Sequence, residues 1–193
     1  MHMATARAKI PRKPRPFRWT SALLERMPRD GNRYEALDGE LLVTPQAGPP
    51  HQVIAAKLVT AFSLYFDAHP RGMVVGPGAV MFGKNELQPD VQLIPAIDQK
   101  LPATKWKDLP LPLLVVEILS HGSHRHDLHK KRDAYLRLGI PEYWVVDPEE
   151  RCVRVFRAAF APGEPTRVTD LLSWKPWVDV PALEINVSKL IPR

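Results

Sequence analysis

Leu113-Leu114-Val115-Val116-Glu117-Ile118-Leu119 is an almost wholly apolar run with a single acid inside it. So short a run predicts a strand buried on both faces near the middle of a sheet. An ionised glutamate there is costly unless a cation or hydrogen-bond donors meet it, which makes Glu117 the first candidate functional residue.

Working upstream, Asp98 to Pro112 is rich in Lys, Pro and Trp and reads as a surface connection. Before it, a strand over Met73–Phe82 leads through Gly83–Asn85 into a second strand over Gln88–Ile94. Asp90 follows Pro89 at the start of that strand, where a carboxylate projects past the sheet edge. Two strand-borne carboxylates converging on one point form an oxygen-rich site for Mg²⁺, which needs only one or two carboxylates besides water and phosphate oxygens. Further back, apolar residues recur at helical spacing from His51 to Ala68, and His69, Pro70 and Gly72 stop that helix. Arg33–Leu37 and Glu40–Thr44 flank Asp38-Gly39 and predict a tight hairpin. Thr20 is placed to cap a short helix ending at Met27.

Downstream, Asp127–Leu138 has helical character and ends at Gly139 before Ile140-Pro141. Asp127, Lys131 and Tyr135 stand four residues apart and line one face of it, with Lys130 turned to one side. A lysine beside a metal-bound water can orient it, lower its pKa or stabilise the phosphate in the transition state. Tyr143–Val146 and Val153–Phe156 predict two more strands, and the Pro-rich remainder an irregular cover with a short terminal strand.

The 193 residues suit one domain, 19–193, behind a basic Pro-rich arm, 1–18. The arm carries Arg7, Lys9, Arg12, Lys13, Arg15 and Arg18 before any acid appears. The remaining 21 Lys and Arg equal the 21 Asp and Glu, so the arm holds the whole +6 excess. Such an arm, Arg12, Lys13 and Arg15 foremost, suits non-specific contact with a phosphate backbone or simple solubilisation. No apolar run approaches the roughly 20 residues that span a bilayer, and no secretory signal opens the chain, so a soluble cytoplasmic protein is expected. The lone Cys152, inside a strand-like run, reads as a packing thiol.

His121, His124, His126 and His129 invite a zinc or nickel reading. Against it stand the lack of any nearby cysteine and the absence of paired ligand spacing. Beside Arg125 and Lys130, the cluster suits phosphate contact or solvation. Trp106, Trp144, Trp174 and Trp177 read as core or cover residues.

The order Pro89-Asp90, Glu117 and a lysine resembles the PD-(D/E)XK nuclease superfamily, with one departure. Its usual lysine, two residues beyond the strand glutamate, is here Leu119, so Lys131 has to serve from the next helix. That departure is similar to the Uma-two family of restriction-endonuclease-like proteins, known from bacteria. Tyr34-Glu35, Gly39-Glu40, His51-Gln52, Gln88-Pro89-Asp90 and Val116-Glu117-Ile118-Leu119-Ser120 carry the likeness. So do Asp127, Lys131, Tyr135 and the stretch Gly139-Ile140-Pro141-Glu142-Tyr143-Trp144-Val145-Val146-Asp147. The resemblance implies an α/β (α+β) fold, a restriction-endonuclease-like mixed sheet flanked by helices, and a Mg²⁺- or Mn²⁺-dependent endonuclease acting on DNA. It implies a metal site on Asp90, Glu117 and the Ile118 carbonyl, with Lys131 as relocated catalytic lysine. Glu35 or Glu40 adds an acid, Glu40 being slightly preferred for its nearness to the helix-entry loop; His51 and Gln88 support the site or touch phosphate. A homodimer fits an enzyme that cuts both strands. The rival is a nuclease scaffold without effective turnover that only binds DNA, a reading favoured by Leu119.

Overall fold

The computed structural model describes residues 17–98, 100–120, 126–158 and 164–192. Arg12, Lys13 and Arg15 of the arm lie outside the described residues, as do Arg125, His121 and His124.

The first helix is shorter than expected: α1 spans Ser21–Leu24, with Thr20 as N-cap but no hydrogen bond from its side chain. The hairpin forms over the residues read for it, β1 (Arg33–Leu37) and β2 (Glu40–Thr44). Asp38 and Gly39 both take positive φ, 52° and 91°, as a two-residue turn between twisted strands requires. Helix α2 (Pro49–Ala68) turns His51, Ile54, Leu58, Phe62, Tyr65 and Phe66 inward, one stripe at 3.6-residue spacing with a histidine at its first turn.

Where one strand was expected over Met73–Phe82 there are two, β3 (Gly72–Val75) and β4 (Val80–Phe82), in different sheets. Gly76-Pro77-Gly78 breaks the run, because proline offers no amide to a ladder and the glycines add no side chain to pack. The strand expected over Gln88–Ile94 is likewise divided. β5 (Asn85–Leu87) belongs with β4, β6 (Val91–Pro95) with β3, and Gln88-Pro89-Asp90 is the corner between the sheets.

The larger sheet runs β10-β9-β8-β7-β6-β3, from β7 (Leu114–Ile118), β8 (Glu142–Asp147), β9 (Cys152–Arg157) and β10 (Thr166–Val168). All its pairs are antiparallel except β7 with β8. The smaller sheet runs β2-β1-β5-β4. The helix expected from Asp127 opens as a π-helical turn, His126–Lys131, and continues as α3 (Arg132–Leu138), stopped by Gly139 at φ 90°.

Alternation along β7 and β8 divides the core. Leu114, Val116, Ile118, Trp144 and Val146 face α2, together with Trp174 and Ile185 of the hairpin β11 (Leu171–Trp174) and β12 (Leu183–Asn186). The C-terminal cover is therefore more regular than expected, and α4 (Val187–Leu190) seals it. Val115, Leu119, Tyr143 and Val145 face the other way, onto Tyr135 of α3 and onto Leu37, Leu42, Val80 and Leu87 of the smaller sheet. Glu117 has the parity of Val115 and points into this second layer. Trp144 and Trp174 are core, Trp177 is half-buried and Trp106 is exposed. Cys152 is buried, and burial raises its thiol pKa, as befits a packing residue. Among the described residues no helix is long and apolar enough to cross a membrane.

Candidate active site

Strand register explains why Asp90 and Glu117 meet. β6 pairs with β7 as Leu93–Leu114, Gln92–Val115 and Val91–Val116. One step further stand Asp90 and Glu117, side by side on adjacent strands. The chain leaving β3 presses on this corner: a Cβ on Gly76 would lie 2.7 Å from the Asp90 carbonyl oxygen, so only glycine fits.

Asp90 is fixed from three sides. Its Oδ2 accepts the Ile118 amide at 2.7 Å and lies 3.0 Å from His51 Nε2, while its Oδ1 accepts from Arg33 Nη1 at 2.7 Å. Burial works against the ionised form, but the His51 hydrogen bond, the charge of Arg33 and the Ile118 amide outweigh it and draw the pKa down to about 2.

Glu117 is wholly buried and polarised between its two oxygens. Oε1 accepts from Lys131 Nζ at 3.0 Å and from the Tyr135 hydroxyl at 3.4 Å. Oε2 accepts no hydrogen bond; Arg33 Nη2, at 3.8 Å, is too far to donate one. Burial pushes this carboxyl well above the ordinary glutamate value; Lys131 opposes that rise, and Asp127 and Asp90 add to it. Two neighbouring acids driven in opposite directions are a mark of functional sites.

Lys131 is as buried as Glu117. Its ammonium meets Glu35 Oε2 at 2.8 Å, Glu117 Oε1 at 3.0 Å and Asp127 Oδ1 at 3.2 Å. Burial disfavours its charge, but Glu117, Glu35 and Asp127 prevail and raise its pKa. Of these contacts only the one to Glu117 has hydrogen-bond geometry; Glu35 and Asp127 lie against the ammonium as buried ion pairs. The π-helical turn that delivers it is anchored by the Tyr143 hydroxyl, which donates to the Asp127 carbonyl at 2.9 Å.

The structure brings Glu35, rather than the slightly preferred Glu40, into this cluster. Glu35 shares the inward parity of Leu37 on β1 and also accepts the Gln88 amide at 2.7 Å. Glu40 opens β2 beside the turn, exposed, and pairs with exposed Lys130. Gln88 thus supports the cluster through its backbone, and His129 is exposed. Sequence reading missed Arg33. Its signal was parity: Arg33, Glu35 and Leu37 lie on one face of a strand whose last member is core.

Beside the cluster, beyond the ends of β7 and β8 and against the start of α2, a cavity of about 510 Å³ is lined by Pro50, His51, Leu119, Ser120, Pro148 and Glu149 among others. Among the described residues no three His, Cys, Asp or Glu side chains form a metal-ligating group.

The family model Uma2, "Putative restriction endonuclease", matches residues 22–188. The chain belongs to the Uma2 family. A crystal structure of "a putative nuclease belonging to DUF820" from Anabaena variabilis shares the fold of this Uma2 chain at a TM-score of 0.71. Its sequence is 18% identical, and the match covers 89% of the Uma2 chain and 97% of the other. No curated protein matches the Uma2 chain.

Proposed function

We propose that this chain is an endonuclease that hydrolyses DNA phosphodiester bonds with a divalent cation, Mg²⁺ or Mn²⁺, at Asp90 and Glu117. The observation that carries the reading is a charge deficit. Four acids, Glu35, Asp90, Glu117 and Asp127, converge with only two permanent cations, Lys131 and Arg33, all but Arg33 buried. With all four acids ionised the cluster would carry two negative charges in excess, which a divalent ion would neutralise while favouring the charged form of Glu117, and Glu117 Oε2 is a buried acceptor with no donor.

Asp90 and Glu117 Oε2 would hold the ion. The Ile118 carbonyl suits a third position, since the N–H and C=O of one strand residue project to the same side and its N–H already meets Asp90. Bound there, the cation would polarise a phosphoryl oxygen and lower the pKa of a water. The chain's own residues do the positioning. Lys131 and Tyr135 hold Glu117 by Oε1 and leave Oε2 without a donor; Glu35 and Asp127 flank Lys131; His51 and the Ile118 amide orient Asp90. Lys131, ringed by three carboxylates, acts here chiefly through Glu117, and the cavity beside His51 offers room for the substrate. A homodimer, placing two such centres on one duplex, belongs to the same reading.

Supercoiled plasmid incubated with Mn²⁺ or Mg²⁺ should be nicked or linearised by the parent protein and left intact by Glu117→Ala and Asp90→Ala. Parental cleavage by either variant, in preparations free of other nucleases, overturns the assignment. The buried amine, ringed by three carboxylates, and Leu119 at the usual lysine position favour a second reading, a nuclease scaffold that binds DNA without cutting it. Carboxylate-dependent Mn²⁺ binding in calorimetry supports the enzyme, and metal-independent, salt-sensitive DNA binding supports the module.

A further inference from the structure

We propose that Arg33 is a resident counter-cation of the metal site, holding Asp90 and Glu117 while the ion is absent and leaving them when it enters. The inference rests on the metal reading above.

Arg33 is the first residue of β1, and its side chain is 20% exposed against 6% for Asp90 and 0% for Glu117 and Glu35. It is therefore more open to solvent than the acids it spans, and an ion reaching them has to pass near it. Its hold is loose. A guanidinium has five donors and binds carboxylates best in a two-pronged fork. Here a single hydrogen bond forms, Nη1 to Asp90 Oδ1 at 2.7 Å. Nη2 stays 3.8 Å from Glu117 Oε2, Nε stays 3.9 Å from Glu35 Oε2, and Nε is buried without a hydrogen-bond partner. The group spans the two acids without locking to either.

Nη1 occupies Oδ1 of Asp90, and Nη2 stands 3.8 Å from the donor-free Oε2 of Glu117. A cation shared by those two oxygens and the guanidinium would claim the same space with like charge, so the two exclude each other. His51 and the Ile118 amide hold the other oxygen of Asp90, and Lys131 and Tyr135 the other oxygen of Glu117, so both acids stay in place when Arg33 departs. The freed guanidinium remains tethered at the mouth of the site, with the fork geometry that suits phosphate.

The test measures Mn²⁺ affinity by calorimetry and melting temperature with and without Mn²⁺, for the full chain and for Arg33→Met and Arg33→Lys. The lysine variant keeps the charge but loses the two-armed reach, and it decides the matter if the methionine variant does not fold. Removing a competing cation should tighten Mn²⁺ binding about tenfold or more in Arg33→Met and several-fold in Arg33→Lys. Each variant should melt below the parent without metal, and the gap should close at saturating Mn²⁺ because Arg33 no longer contributes there. Parental Mn²⁺ affinity in the variants, or a melting gap that persists at saturation, overturns this role while leaving the metal site standing. No Mn²⁺ binding by the parent chain overturns both.

Discussion

Asp90 and Glu117 stand side by side yet titrate in opposite directions, and the metal-free protein should show this in its acid–base stability. Asp90, drawn from 3.8 to about 2, stabilises the fold once both folded and unfolded chains are ionised. That contribution, roughly 2 kcal/mol, is lost as pH falls from about 4 to 2, and Asp90→Asn should lack it. Glu117 carries the opposite sign. Its folded value is raised, so its contribution is full below the ordinary glutamate value and drains away as pH climbs toward the folded one. Glu117→Gln should therefore flatten the decline in melting temperature expected of the metal-free parent as pH rises above the ordinary glutamate value. Thermal melts across pH check both; a parent profile identical to that of Glu117→Gln would contradict the burial of an ionisable acid here.

Both acids were legible in the sequence, for different reasons. Glu117 breaks an apolar run, a local anomaly, and Asp90 gains meaning only as its partner. Arg33 was not legible, and Glu35 stood only as the alternative to Glu40, because their strand is short, half-buried and followed by that second acid, whose nearness in sequence to the α2 entry gave it the slight preference. The side-chain period of two favours Glu35 once the turn at Asp38-Gly39 is trusted, since Glu40 then falls at the exposed start of the return strand.

At the scale of elements, the π-helical turn and α3 exist in their present form to carry one ammonium into a nest of three carboxylates. Such single-turn π irregularities occur often at functional sites. Lys131→Met leaves Glu35, Glu117 and Asp127 facing one another without their shared cation. The loss should be about 3–5 kcal/mol in chemical denaturation, because unpaired buried charge is far costlier than a missing pair. Adding Glu35→Gln to that variant should recover part of it. A Lys131→Met protein as stable as the parent would show that the three acids are not charged together. The helix itself was readable from Asp127, Lys131, Tyr135 and the Gly139 stop. Its widened first turn was not, because that follows from tertiary contacts such as the Tyr143 hydroxyl on the Asp127 carbonyl. The division of Met73–Phe82 into two sheets was signalled by Gly76-Pro77-Gly78, a break that apolar patterning alone passes over.

On the scale of the whole molecule, charge is arranged in two unlike ways. The basic excess sits in the arm, whereas the buried cluster carries an acidic excess. Arm and site should then be separable in solution. Removing residues 1–18 should make DNA affinity less salt-dependent, the slope of log K against log [salt] falling by about 0.9 for each phosphate the arm had neutralised, with Mn²⁺ affinity unchanged. Fluorescence anisotropy over a salt series reads the slope, and an unaltered slope would return the arm to a solubilising role. The layered fold was legible because β7, β8 and α2 carry strong, unmixed periodicities. The hairpin β11–β12 was hidden in a Pro-rich stretch whose apolar residues make sense only against α2.

Crystals grown with Mn²⁺ test the central claim most directly. The account predicts an anomalous peak about 2 Å from both an Asp90 and a Glu117 oxygen, with Arg33 turned away from Asp90. Millimolar Mn²⁺ leaving no peak there, with the Arg33–Asp90 hydrogen bond intact, would contradict it.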